Sequence, residues 1–328
     1  EVAELLRRAG ASIAQERIIA AEEVLSEVLS VRSEVLQKAG DVNPTVLAGM
    51  SAEGSFPGVQ IHAIASGTQP QVLSAGDACA RVFREGGTTW IAASNLTAPG
   101  AGDGPAQSLA VFAQARALLE AGGATFHDVA RTWFFMRDIL KWYGPFNTAR
   151  TGFFSEVGLV GPQIRGTLPA STGIGVAPAG SAAVALDFVA ATGRAEVVQK
   201  HEAAGKQRSA FEYGSAFARA ATVVSPAGRT VFVSGTAAID TEGRTCHHGD
   251  ADAQIQMTLE NVAAVFHQHR AGLKDVVHAI AYCATAQAEA AFRSCWAETL
   301  PFVPLIIRGD VCRDDLLFEM EATACCAD

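Results

Sequence analysis

The sequence predicts an α/β or α+β fold in which one strand-and-helix unit occurs twice, with helices packed on one face of each sheet. Three observations predict it. The chain has 328 residues, 49% hydrophobic and 18% charged, which is ample apolar surface for a core and more chain than the roughly 250 to 300 residues one core usually holds. Strand-like runs alternate with helical stretches between Gly and Pro signals. A spacing then recurs: Gln107 opens a helical stretch 21 positions before Asp128, and Gln254 opens another 21 positions before Asp275.

Taken in order, residues 12–39 place Ile13, Ile18, Ile19, Val24, Leu25, Val28, Leu29, Val31, Val35 and Leu36 at near-helical spacing among Glu and Arg and stop at Gly40, which predicts an amphipathic helix inside an N-terminal helical extension, 1–54. The first unit, 55–195, reads as a strand at 88–95, a helix from Gln107, a strand at 130–135, a short helix at 142–154 and a final strand at 182–191. The second, 196–328, repeats this with a strand at 230–237, a helix from Gln254, a strand at 278–282, a helix at 289–300 and a final strand at 316–324. The pattern is β-α-β-α-β twice.

Charge and cysteine usage exclude several function classes. With 34 acidic and 25 basic residues the net charge is -9, so the electrostatic footprint of a nucleic-acid binder is missing. No apolar run approaches the roughly 20 residues that span a bilayer. Seven cysteines at irregular spacing, without a CxxC pair, predict reduced thiols and a cytoplasmic location. His247, His248 and Asp250 lack the spacing of a metal site; Asp250 reads as the cap of the helix that Gln254 opens.

The second half's order resembles the Rid/YjgF-like family: Ser-Gly on a strand, Gln at a helix start, L-x-N-V, a Gly before D-V, and a final strand ending E-x-E. Both halves resemble it in layout over roughly 55–326. Four motifs are more narrowly similar to the chorismatases, whose fold is a Rid-like tandem. They are Pro169-Ala-Ser-Thr-Gly-Ile-Gly175, Phe217-Ala-Arg-Ala220, Arg244-Thr-Cys-His-His-Gly-Asp250 and Asp310-Val-Cys-Arg-Asp-Asp-Leu-Leu-Phe-Glu319. The resemblance implies an α+β fold of two tandem Rid/YjgF-like, chorismate-mutase-like units plus an N-terminal helix. Three Rid units normally close a barrel-like trimer, so two per chain imply either a trimer of chains or a third wall supplied by the N-terminal segment.

What the resemblance implies for chemistry follows residue by residue. Simple Rid enzymes hydrolyse enamines and imines with an arginine in a Pro-Ala-Arg segment; here that segment reads Pro169-Ala170-Ser171. The Rid carboxylate of the final strand falls on Glu319, while Ala185 holds the matching place in the first half, so one competent site per chain is expected. By resemblance Glu319 protonates an enolpyruvyl ether, and Glu319 and Glu321 project to one face of the strand. Cys312 and Gly235 fall where chorismatases decide between hydrolysis and hydroxybenzoate formation, and the pair looks like the hydroxybenzoate-forming kind.

Ser171 and Thr172 read as pocket hydroxyls and Tyr213 as part of the binding wall. The segment Tyr213-Gly-Ser-Ala-Phe-Ala-Arg-Ala lacks the arginine of the chorismatase Tyr-Gly-Pro-Arg segment. The cations left to clamp a dianion are therefore Arg150, Arg165, Arg219, Arg308 and Arg313. The expectation is a cofactor-independent lyase or hydrolase with a small carboxylated substrate, no metal, and no nucleic-acid or membrane partner. An enamine or imine deaminase and a non-catalytic ligand-binding or scaffold protein are the alternatives.

Overall fold

The structure is a computed structural model that describes residues 1–36, 42–65, 69–194 and 196–326. The chain opens with helix α1 (Val2–Ala9), strand β1 (Ser12–Ala20), helix α2 (Glu22–Val35) and strands β2 (Thr45–Ala48) and β3 (Gly58–Ile64). A first strand-and-helix set follows: β4 (Gln71–Ala75), β5 (Ala78–Glu85), β6 (Thr88–Thr97), α3 (Gly104–Ala121), β7 (Val129–Met136), α4 (Ile139–Glu156), β8 (Ala170–Ile174), β9 (Ala177–Pro178) and β10 (Val184–Thr192). The second comprises β11 (Val198–His201), β12 (Ala220–Ser225), β13 (Gly228–Ala237), α5 (Ala251–Gln268), β14 (Val276–Cys283), α6 (Ala286–Cys295), β15 (Leu305–Arg308) and β16 (Phe318–Cys326).

The two large sheets have the orders β4-β5-β6-β10-β7-β8 and β11-β12-β13-β16-β14-β15, which match strand for strand. The recurring glutamine has a structural cause. Gln107 accepts from the backbone N–H of Ala183 at 2.8 Å and Gln254 from that of Leu317 at 2.8 Å, while each amide donates to a backbone carbonyl near its own helix start. Each glutamine thus ties a helix N-terminus to the entry of the last strand. The aspartate at the far end of the spacing closes a turn, Asp128 on the N–H of Thr125 and Asp275 on that of Gly272. Asp250 caps α5 by accepting from Ala253, as Asp103 caps α3 by accepting from Ala106.

The N-terminal segment differs from the helix read over 12–39. Residues 12–20 form β1, and the helix runs over Glu22–Val35; the stop at Gly40 lies outside the described residues. From Ile13 onward β1 is buried on both faces, Gln15, Glu16 and Arg17 included. A strand covered on both sides loses the alternation that marks it in sequence, so its apolar residues mimic helical spacing. β3, which sequence reading assigns to the first unit, pairs antiparallel with β1.

The resulting third sheet, β3-β1-β2-β9, repeats part of the same design. β1 is parallel to β2 and antiparallel to β3, just as β7 is to β8 and β10, and β14 to β15 and β16. In each case a helix joins the parallel pair: α2, α4 and α6. Registers agree too. Arg17 lies opposite Thr45 and Gln60, Trp133 opposite Thr172 and Asp187, and Ile280 opposite Leu305 and Glu321. The N-terminal segment thus contributes a third sheet, as one of the two expectations had it.

Each large sheet buries one face under its helices, with Phe112, Phe134 and Phe146 in one layer and Ile255, Phe266 and Phe318 in the other. The opposite faces meet the N-terminal sheet in a shared core that includes Ile19, Leu47, Trp90, Trp133, Phe232 and Tyr282. Polar groups cross this core as matched sets. Arg17 pairs with Asp187 at 2.6 Å and Arg131 with Glu321 at 2.8 Å, both almost fully buried.

Candidate active site

The site forms where β8 and α4 of the first half face β13 and β16 of the second. On β16, Phe318 and Met320 enter the helix-covered layer, so period-two alternation turns Glu319 and Glu321 to the shared centre. Glu319 lies opposite Ala237 and Tyr282. Both carboxyls are buried, at 5% and 1% exposure. Burial pushes the Glu319 carboxyl up to about 8; the Glu321 charge adds to the rise, and Arg131 and Arg219 oppose it. Glu319 therefore keeps its proton near neutrality.

Gly235 makes room for this acid. It sits in a bulge of β13, where pairing with β16 shifts register between Val233 and Thr236. A Cβ at Gly235 would collide with the Glu319 carboxyl oxygen. In the first half, Asn95 holds the corresponding bulge with φ 58°, and Ala185 replaces the acid.

The opposite wall carries the cations. Arg150, on α4 and buried, lies over the Phe146 and Phe217 rings at 5.0 and 5.7 Å and donates to Asn147 at 2.6 Å. Arg219 donates to the Tyr213 hydroxyl and, at 3.1 Å, to the Arg208 carbonyl. Arg313 lies 5.6 Å over the Tyr213 ring and donates to the Gly243 carbonyl. Burial lowers both Arg150 and Arg219 below the usual arginine range, yet a guanidinium remains charged at neutral pH. Three guanidinium groups thus face a protonated carboxyl.

Cys312 lines the same cleft. Burial, then the Glu319 charge, push its thiol up to about 12. It is a neutral thiol at physiological pH, suited to lining the cleft and unsuited to nucleophilic attack. Tyr143, pushed up to about 12 mainly by burial, lines the cleft together with Ser215, Arg150 and Cys312.

Of the residues singled out in sequence, the structure brings Glu319, Cys312, Gly235, Ser171, Tyr213, Arg219, Arg150 and Arg313 to one cleft. Thr172 and Arg308 lie elsewhere. Ser171 and Gly173 line the cleft, so Thr172 between them points the other way; its hydroxyl accepts from Gly235 N–H at 3.0 Å and donates to Glu321. Arg308, at the end of β15, turns to Glu289 at 3.4 Å and to the sulfur of Met50, beside the N-terminal sheet. Arg165 bonds loop carbonyls of Gly161 and Ile164 at the surface. Sequence reasoning missed Tyr143, Ser215 and the ring of Phe217. The alternation in Phe217-Ala-Arg219 is the signal that sets Phe217 on the cleft side with Arg219.

Residues 210–326 match the family model described as Endoribonuclease L-PSP. A chorismatase from Streptomyces hygroscopicus is 31% identical over 59% of this chain and 60% of its own, and one from Streptomyces rapamycinicus is 32% identical over 61% and 65%. The matched segments thus span less than two thirds of either relative. A chorismatase crystal structure superposes with a TM-score of 0.70 at 22% identity, over 95% of this chain and 93% of that one. The chain has a chorismatase-like Rid fold. In this chorismatase-like chain the acid, the bulge and two of the arginines lie within the segment that the family model matches, while Arg150, Tyr143 and Ser171 come from the first half.

Proposed function

We propose that the chain is a cofactor-independent hydrolase or lyase acting on chorismate or a closely related carboxylated enol ether. One observation carries this reading: a buried carboxyl held protonated to about pH 8 shares a cleft with Arg150, Arg219 and Arg313. The chemistry needs both. A dianion needs cationic partners for its carboxylates, and an enol ether needs a proton on carbon.

In the proposed reaction Glu319 delivers its proton to the terminal methylene, the alkene electrons form the new C–H bond, and positive charge spreads onto the ether oxygen. The carboxylate left behind faces that oxocarbenium ion. Water adds to the cationic carbon and returns a proton to Glu319, and the hemiketal collapses to pyruvate and an alcohol. Gly235 together with Cys312 supports the hydroxybenzoate-forming variant, in which the ring gives up a hydroxyl and a ring hydrogen as water and becomes aromatic, so that the water taken up in releasing pyruvate is returned. Ser171, where a simple Rid deaminase carries arginine, gives the imine reading no anchor.

The third sheet supports a barrel closed within one chain. Among the described residues no helix is long and apolar enough to cross a membrane. All seven cysteines are free thiols, which supports a reducing, cytoplasmic setting.

Incubation with chorismate and coupled detection of pyruvate tests the reading. The wild type should release pyruvate, and Glu319→Gln should lose about 10²- to 10⁴-fold in kcat while keeping ligand binding by calorimetry. A wild type that binds chorismate without releasing pyruvate would leave only the scaffold reading.

A further inference from the structure

We propose that Glu321 is a positioning residue for the acid: its carboxylate, fixed behind the cleft, holds the proton on Glu319 and sets the pH range over which that proton is available. The inference rests on Glu319 being the general acid. Its basis is a line of contacts that runs from one half of the molecule to the other.

Glu321 follows Glu319 on the same face of β16, about 7 Å along the strand. Strands β7 and β8 of the first half supply three donors to it: Arg131 at 2.8 Å, the Trp133 indole N–H at 3.0 Å and the Thr172 hydroxyl. All three hydrogen bonds point into the Glu321 carboxyl, and one of them comes from a buried guanidinium. Thr172 also accepts from the backbone N–H of Gly235 at 3.0 Å, the residue whose missing side chain leaves space for Glu319. The group that holds the neighbouring charge thus also anchors the bulge against which the acid rests.

The charges around Glu319 decide the sign. Glu321 on β16 disfavours ionisation of its neighbour; Arg131 on β7 and Arg219 ahead of β12 favour it. Arg150 on α4 and Arg313 in the loop before β16 stand in the cleft wall. Tyr282 on β14, Tyr143 on α4 and Cys312 are neutral, all raised by burial. Arg131 is itself engaged by the Glu321 carboxyl at 2.8 Å. Removing the Glu321 charge must therefore let Glu319 ionise at lower pH.

The test is an infrared titration of the Glu319 carboxyl, assigned by difference from Glu319→Gln, in wild type and Glu321→Gln. The midpoint should fall by about one unit in Glu321→Gln. The alkaline limb of the kcat profile should follow, with about fivefold less protonated acid at pH 8 and near-wild-type activity at pH 5. A paired replacement, Arg131→Met with Glu321→Met, keeps the question open to measurement if the single variant does not fold, because apolar substitution of a whole buried ion pair is well tolerated; it should give a smaller fall. A midpoint unchanged or raised in the folded variants overturns the proposal. The infrared readout needs no turnover, so its failure is separate from a failure to release pyruvate.

Discussion

Glu319 has an effect on stability that is separate from its chemistry. Its carboxyl rises from 4.5 unfolded to about 8 folded, so between those values the folded state holds a proton that the unfolded chain has lost. Stability conferred by that protonated form is present at low pH and declines as pH climbs through this window. Glu319→Gln carries no such proton. Its Tm relative to wild type should rise from pH 5 to pH 8, by an amount on the order of a few kcal/mol in stability; a difference independent of pH would contradict the raised carboxyl. Asp187, the matching position to Glu321 in the first half, is fully buried and bound by Arg17, Thr45 and the Asn95 N–H. Asp187→Asn should therefore lower Tm, which calorimetry would read as a test of the core. The place of Glu319 on the inward face of β16 was legible because E-x-E alternates with apolar residues. Thr172 was not, because adjacent hydroxyls look equivalent until the strand direction separates them.

Among elements, the recurring glutamine is the clearest case in which a sequence spacing has a mechanical reason. Gln254 is fully buried and satisfies two carbonyls and the Leu317 N–H; β16 begins directly after that anchor and carries the acid two residues on. Gln254→Ala should cost about 1–3 kcal/mol by leaving these groups unpaired, and kcat should fall with it because the start of β16 loosens. Gln107→Ala should cost a similar amount in urea denaturation with no loss of kcat, since β10 carries Ala185 in place of the acid; equal kcat losses in both variants would break the argument. The long helices and the three central strands of each half were readable from such spacing, while β4, β5, β8, β11, β12 and β15 were not. β1 was not, since a strand buried on both faces hides polar residues where a pattern search expects solvent.

For the whole molecule, the N-terminal sheet decides how the core is sealed. Ile19 and Leu47 pack into the same apolar cluster as Trp90 and Phe232, and Arg17 neutralises Asp187 there. Light scattering should give the mass of one chain. Deletion of residues 1–64 should expose this core and leave Asp187 unpaired, yielding aggregation or association through the uncovered faces; a soluble, monomeric truncated chain of normal Tm would refute the sealing role. Sequence reasoning reached the two long units and the possibility of a third wall, but the wall's own strands were invisible because β2 and β3 take their pattern from partners far away in the chain.

The register of the three sheets places Gly58, Ala185 and Glu319 at corresponding points. In a ring of identical subunits a single codon writes the same side chain at every such point, so an acid gained at one is gained at all and a harmful change is suffered three times over. Here each point has its own codon. One copy is free to hold a carboxyl at the limit of what burial tolerates, while the others hold a methyl group and a hydrogen and carry none of that burden.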